Sequence, residues 1–227
     1  MSVPVSPRQL AFALEHVVSF ARDDFLSGPS NAAARTLIER WPDWPDRVVV
    51  LVGPEGSGKS HLAAIWAVAS GARFLAARAL TSADPPRVFA TGALVVEDLA
   101  PENTDERALF HLLNLAREEG AFMLITARSA PAGWPSAIRD LTSRLRALPV
   151  VALAPPDDAL LRALIVKLAA DRQLNVDESL VRYLVTRIER SFAAARVAVA
   201  KLDAEAMRQQ RPVTRALAAE ILRDARA

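Results

Sequence analysis

Cysteine is absent from the chain, which excludes disulfides, thiolate metal sites and cysteine nucleophiles and fits a reducing compartment such as the cytoplasm. Histidine occurs only at His16, His61 and His111, too dispersed to read as a histidine-rich metal centre. Long apolar runs are missing too: the longest are strand-sized and broken by charge, so no membrane span is expected. The N-terminal stretch lacks the charged, then apolar, then small-residue order of a secretory signal. An excess of one charge sign is likewise lacking, since 28 Lys and Arg face 26 Asp and Glu for a net charge of +2. The isoelectric point is about 9.5, but arginines interleaved with acids argue against strong duplex binding by charge alone, and sequence-specific duplex DNA binding is not expected.

What the chain does have is apolar residues, 52% of 227, enough for one α/β domain and a small appendage without covalent staples. Residues Gly53, Pro54, Glu55, Gly56, Ser57, Gly58, Lys59 and Ser60 match G-x-x-x-x-G-K-[ST]. In such a loop, backbone N–H groups and the lysine cradle nucleotide phosphates, while the terminal hydroxyl holds Mg²⁺. The flanks agree: Arg47 to Val52 (RVVVLV) reads as a buried parallel strand, and Lys59 to Ser70 (KSHLAAIWAVAS) as the helix leaving the loop. A glycine-rich turn without a ligand is the minor alternative.

Met1 to Pro7 contains Pro4 and Pro7 and reads as a flexible tail. Gln9-Leu10-Ala11-Phe12-Ala13-Leu14 follows, with apolar side chains alternating behind a glutamine. It reads either as a short element packed on its own domain or as a linear peptide that puts Leu10, Phe12 and Leu14 into a partner's pocket beside a Gln9 hydrogen bond. Asp23 to Asn31 is turn-rich and leads into a helix from about Ala32 to Trp41, and the WPDWPD segment at Trp41 to Asp46 delivers the chain to the first strand. Phe25 and Leu26 suit either adenine contact or core packing.

Beyond the P-loop helix, Gly71 reads as a C-cap, Ala72 to Ala77 as a strand, and Thr81 to Arg87 as a proline-bearing loop. Ala93 to Asp98 (ALVVED) is a hydrophobic strand ending in two acids. An acid at the carboxyl end of such a strand lies beside the P-loop, where it can hold the Mg²⁺ shell or polarise a water, so Glu97 and Asp98 are candidates and Glu97 joins Ser60 as a candidate metal ligand. Asn103 to Glu119 has a helix pattern with Asn103 as cap and Gly120 as stop, its leucines 109, 112, 113 and 115 on a core face. Ala121 to Thr126 is a further strand, and the Thr126 hydroxyl either senses a γ-phosphate or is structural. Ser136 to Arg146 reads as an arginine-rich helix, followed by a strand from Pro149 to Leu153. Alternating strands and helices predict a parallel sheet covered on both faces. After Ala154-Pro155-Pro156 the strands stop, and four helical patterns follow near residues 157–172, 177–189, 192–209 and 214–225.

A P-loop, an acidic strand end, a polar strand end, an arginine-bearing helix and a helical C-terminal lid, in that order, resemble an AAA+ ATPase. Phe25 to Asn31 (FLSGPSN), Gly58 to Leu62 (GKSHL) and Leu141 to Leu145 (LTSRL) resemble, respectively, the segment before the first strand, the P-loop exit and the arginine-finger motif of the DnaA/Hda replication-initiator family. The resemblance runs from about residue 10 onward and is nearest the family's Hda-type regulators, since no helix-turn-helix domain is expected after the lid. It implies an AAA+ P-loop NTPase fold: a tail at residues 1–20 with a clamp-binding-like peptide, an α/β nucleotide-binding domain with a five-stranded parallel sheet at 21–154, and a small all-helical lid at 155–227. Implied ligands are ADP or ATP with Mg²⁺, held by residues 53–60 and His61. Implied partners are the DnaA initiator and the DNA polymerase III sliding clamp (beta subunit), the clamp contacted through Gln9, Leu10, Phe12 and Leu14, with homo-oligomers also compatible. By this resemblance Arg144 acts in trans on the initiator's ATP, a negative regulation of replication initiation; the alternative for Arg144 is a surface arginine. The family's lid arginine aligns with Ala193, leaving Arg190 and Arg196 to either side as sensor candidates, and Ala127 takes the usual polar first-sensor place beside Thr126. Those departures predict slow intrinsic turnover. The competing readings are a helicase loader or DnaA-like accessory ATPase acting on single-stranded DNA, and an autonomous ATPase motor.

Overall fold

The computed structural model describes residues 20–80 and 88–224. The peptide residues Gln9, Leu10, Phe12 and Leu14, and the proline-bearing loop at 81–87, lie outside the described residues. Five parallel strands form one sheet in the order β2-β3-β4-β1-β5: β1 Val48–Val52, β2 Arg73–Ala76, β3 Ala93–Leu99, β4 Phe122–Ala127 and β5 Val150–Ala152. Helices α1 Ala32–Glu39, α2 Lys59–Ser70, α3 Glu106–Glu118 and α4 Arg139–Ala147 accompany it. The expected five-stranded α/β architecture with helices on both faces is therefore observed.

Residues alternate across a strand, so each central strand feeds two cores. Val48, Val50 and Val52 of β1 pack with Leu94, Val96, Met123 and Ile125 against Leu109, Leu112, Leu113 and Ala116 of α3 and Leu141 and Leu145 of α4. Val49 and Leu51 join Val95 and Leu124 against Ala34, Leu37 and Ile38 of α1 and Leu62, Ala63 and Trp66 of α2. The fully buried Trp66 stacks on Trp44, ring centroids 4.9 Å apart, which is where the WPDWPD segment is anchored. Because β1 is followed in space by β4 on one side and β5 on the other, its carboxyl end opens into the crevice that doubly wound sheets use for ligands.

Four further helices, α5 Asp158–Asp171, α6 Glu178–Arg187, α7 Phe192–Gln209 and α8 Arg215–Asp224, enclose a separate apolar cluster around Leu161, Ile165, Leu184, Leu202 and Leu217. Asp157, Asp177 and Ser191 cap the first three through their side-chain oxygens, accepting from the N–H of Leu160, Leu180 and Ala194.

Helix starts differ from expectation in two places. Asp105, not Asn103, caps α3, its carboxylate accepting from Arg107 N (2.9 Å) and Ala108 N (3.0 Å). Asn103 instead closes the preceding 3₁₀ turn, donating from Nδ2 to the Asp98 carbonyl at 2.9 Å. Helix α4 begins at Arg139 rather than Ser136, because Ser136 Oγ and the Ala137 N–H both donate to Glu106 and hold that stretch out of the helix.

Candidate functional site

The P-loop leaves β1 at Gly53, where any side chain is excluded: an added Cβ would sit 2.5 Å from the Leu153 carbonyl oxygen and 2.9 Å from Ser57 Oγ. Gly56 and Gly58 have φ of +70° and +99°, a region open to glycine and strained for other residues, and Gly58 leads directly into α2. A helix N-terminus thereby faces the loop, with its N–H groups and positive dipole end available to an anion. Lys59 turns back over the loop, its Nζ donating to the carbonyls of Gly53 and Pro54 at 2.8 Å each. Burial pushes its pKa down, opposed by Asp98 and reinforced by Arg128. Ser57 Oγ is buried without a hydrogen-bond partner among the described residues.

A cavity of about 300 Å³ lies against this loop, lined by Phe20, Glu55, Gly56, Gly58, Lys59, Ser60, His61, Asp98, Arg128, Phe192 and Arg196. Three cations, Lys59, Arg128 and Arg196, face two carboxylates in this wall. His61 is buried, hydrogen-bonded from Nε2 to the Ala21 carbonyl at 2.9 Å and edge-on to the rings of Phe20 and Phe25. Burial lowers its pKa below the ordinary value, so the ring is neutral with its proton on Nε2.

The two consecutive acids of β3 part company. Asp98 lines the P-loop cavity; Glu97 does not, and lines only an adjacent cavity of about 470 Å³ together with Arg78, Glu102 and Asn103. Asp98 has a φ of +55°, at the break in register between β3 and β4. Its backbone N–H donates to Thr126 Oγ1 at 3.0 Å, so the fully buried Thr126 holds the acid rather than lining the cavity itself. Among the described residues no group of three or more His, Asp or Glu side chains is arranged to hold a metal ion.

The lid closes the other wall. The Phe192 N–H donates to the Gly56 carbonyl at 2.9 Å, and Ala193 is so close that a Cβ on Gly56 would meet its Cβ at 3.0 Å. Lys167 of α5 bridges to Asp24 at 2.7 Å, and Leu26 packs into the lid cluster. Phe25 lies on the other side, its ring 5.2 Å from His61. The two arginines flanking Ala193 differ: Arg190 is paired with Asp158 at 2.8 Å and is absent from the cavity wall, whereas Arg196 lines it, half-buried and without an acidic partner among the described residues. Arg144 on α4 lies outside the cavity wall, its guanidinium 5.1 Å from the centre of the Phe110 ring.

Sequence reasoning overlooked Arg128, Phe192 and Phe20 as wall residues. Arg128 carries a usable signal, since it follows the carboxyl end of a central strand. Phe192 has a weaker one, as the first residue after the Ser191 cap.

Comparison with known proteins agrees with this geometry. Residues 157–222, the helical unit from α5 to α8, match the family described as "Hda, lid domain". The chain is 30% identical over 166 residues to the chromosomal replication initiator protein DnaA of Caulobacter sp. (strain K31), an alignment covering 62% of this chain and 34% of that protein. The chain thus matches about a third of the length of that relative. Domain III of the Thermotoga maritima replication initiation protein DnaA superposes with a TM-score of 0.74 at 18% identity, covering 90% of this chain and 96% of the other. AMPPCP-bound DnaA from Aquifex aeolicus superposes with a TM-score of 0.66 at 14% identity, covering 79% and 63%. The helical unit therefore matches the Hda lid family, and the core together with that lid has the fold of DnaA domain III.

Proposed function

We propose that the chain is an adenine-nucleotide-binding regulator of replication initiation, which docks on the sliding clamp through Gln9, Leu10, Phe12 and Leu14 and presents Arg144 to ATP held by the initiator DnaA. The observation that carries this reading is the separation of the two arginine sites: Arg196 faces the chain's own P-loop cavity, while Arg144 stands outside it on α4. In its own site, residues 53–60 hold the phosphates of ADP or ATP, with Lys59 exchanging its two carbonyl partners for phosphate oxygens. The AMPPCP-bound state of a structural neighbour supports a nucleotide here. Mg²⁺, which favours phosphates plus one or two protein oxygens, is held by Ser60 with Asp98, the acid that reaches the cavity, in preference to Glu97. Arg196, in preference to Arg190, is the lid's nucleotide sensor, and the core and lid correspond to residues 21–154 and 155–227.

The chemistry in trans is electrostatic. A guanidinium placed at the transferring phosphoryl group neutralises the charge that develops there, worth about 10³ to 10⁵ in rate. Calorimetric titration against the sliding clamp of the same organism, with Gln9→Ala/Leu10→Ala in parallel, tests the docking step. Binding that is micromolar or tighter and lost in the double variant is expected; absence of binding by the intact protein would remove clamp-coupled regulation and favour the helicase-loader reading.

A further inference from the structure

Arg128 stands at the junction of the P-loop cavity and its neighbour and lines both. Its guanidinium is paired with Glu55, a residue of the P-loop itself, through Nη2 to Oε2 at 2.7 Å. The two residues are 73 positions apart, and both side chains are about three-quarters exposed, at 74% and 78%. An ion pair so exposed is weak and easily exchanged. Carboxylate and phosphate oxygens compete for the same guanidinium geometry, and a doubly charged terminal phosphate is the stronger partner. Lys59 shows the same pattern, its ammonium resting on carbonyls of the loop that would hold the phosphates.

Resting on the nucleotide reading of this cavity, we propose that Arg128 is a phosphate-binding residue kept masked by Glu55. When a nucleotide enters, the guanidinium leaves the Glu55 carboxylate for a phosphate oxygen of the ligand. Glu55 is thus a built-in competitor that weakens binding and penalises ligands too poorly charged to displace it. The exchange ties the end of β4 to the P-loop in the ligand-free state and to the ligand afterwards.

The test is calorimetric titration of ATP and ADP with Mg²⁺ into the full chain and into Glu55→Gln, Arg128→Ala, Glu55→Gln/Arg128→Ala and Lys59→Ala. Arg78→Ala, which lines only the neighbouring cavity, controls for general loss of positive charge. Glu55→Gln is expected to bind ATP roughly 2- to 5-fold more tightly than the wild type, the worth of an exposed ion pair. Adding Arg128→Ala to it should weaken binding about 10-fold or more, as for removal of a hydrogen bond to a charged group, against less than about 2-fold for Arg78→Ala. If Glu55→Gln/Arg128→Ala binds ATP as well as Glu55→Gln, or Glu55→Gln binds no more tightly than the wild type, the exchange is overturned. Nucleotide binding that Lys59→Ala abolishes keeps the P-loop reading intact in that event. Failure of the wild type to bind either nucleotide overturns the P-loop reading and this proposal with it.

Discussion

Gly56→Ala isolates the contact between P-loop and lid, and Gly71→Ala supplies its control. Both glycines have a φ of +70°, so both substitutions force alanine into the left-handed region, at a cost of about 1–2 kcal/mol. At Gly71 nothing lies within 4 Å of the new methyl group, and that backbone term is the whole expected effect. At Gly56 the methyl group meets Ala193 Cβ at 3.0 Å, Ser191 Cβ at 3.1 Å and Ala193 N at 3.2 Å. All three atoms belong to the cap and first turn of α7, which yield only by moving the helix, at about 1–3 kcal/mol for such overpacking. That movement also pulls the Phe192 N–H from the Gly56 carbonyl, a hydrogen bond worth about 0.5–1.5 kcal/mol. Gly56→Ala should therefore be destabilised beyond Gly71→Ala by about 2–4 kcal/mol. In a chain of this size that lowers the melting temperature by a further ~4–16 °C. Urea unfolding followed by tryptophan fluorescence and by far-ultraviolet circular dichroism reads both variants. All four tryptophans fall between Trp41 and Trp134, outside the lid, so the fluorescence reports the sheet and the dichroism adds the lid helices. Transitions of the two variants that coincide by both probes would refute the direct lid contact.

The buried His61 sets a pH dependence. Its folded pKa lies below the ordinary 6.5, so between the two values the unfolded chain binds more protons, and stability falls as pH drops through that window. Melting temperature should therefore fall between pH 7.5 and 5.5, and less so in His61→Gln; equal slopes in the two proteins would contradict the burial argument. Asp157→Ala removes the cap of α5 and should cost about 1 kcal/mol by urea titration, with Asp157→Asn retaining most of it. Arg196→Ala should weaken ATP binding about 10-fold, whereas Arg190→Ala, already paired with Asp158, should leave it within about 2-fold by calorimetry.

Spacing carried most of the fold. The P-loop, the valine-rich strand before it and the helix after it are contiguous, and their pattern is local enough to read directly. The lid was legible for the same reason, with α7 spanning Phe192–Gln209 as its periodicity indicates. The site was only partly legible. Neighbouring acids on a strand point to opposite faces, so whether Glu97 or Asp98 reaches the P-loop depends on a register that the residues alone do not state. The break after Val96 and the positive φ of Asp98 decide it. Arg190 and Arg196 were equivalent by position until Asp158 claimed the first. Arg128 could be suspected from its place just after β4, but its pairing with Glu55, across 73 residues of chain, could not be read from the sequence.

The most direct test of the regulatory reading is the rate of ATP hydrolysis by purified initiator, measured as phosphate release with clamp-bearing DNA and either the wild-type chain or Arg144→Ala. Acceleration by the wild type that falls about 10³-fold or more in the variant, with the variant still binding its own nucleotide and the clamp, is the predicted result. Equal acceleration by both proteins would contradict an Arg144 acting in trans.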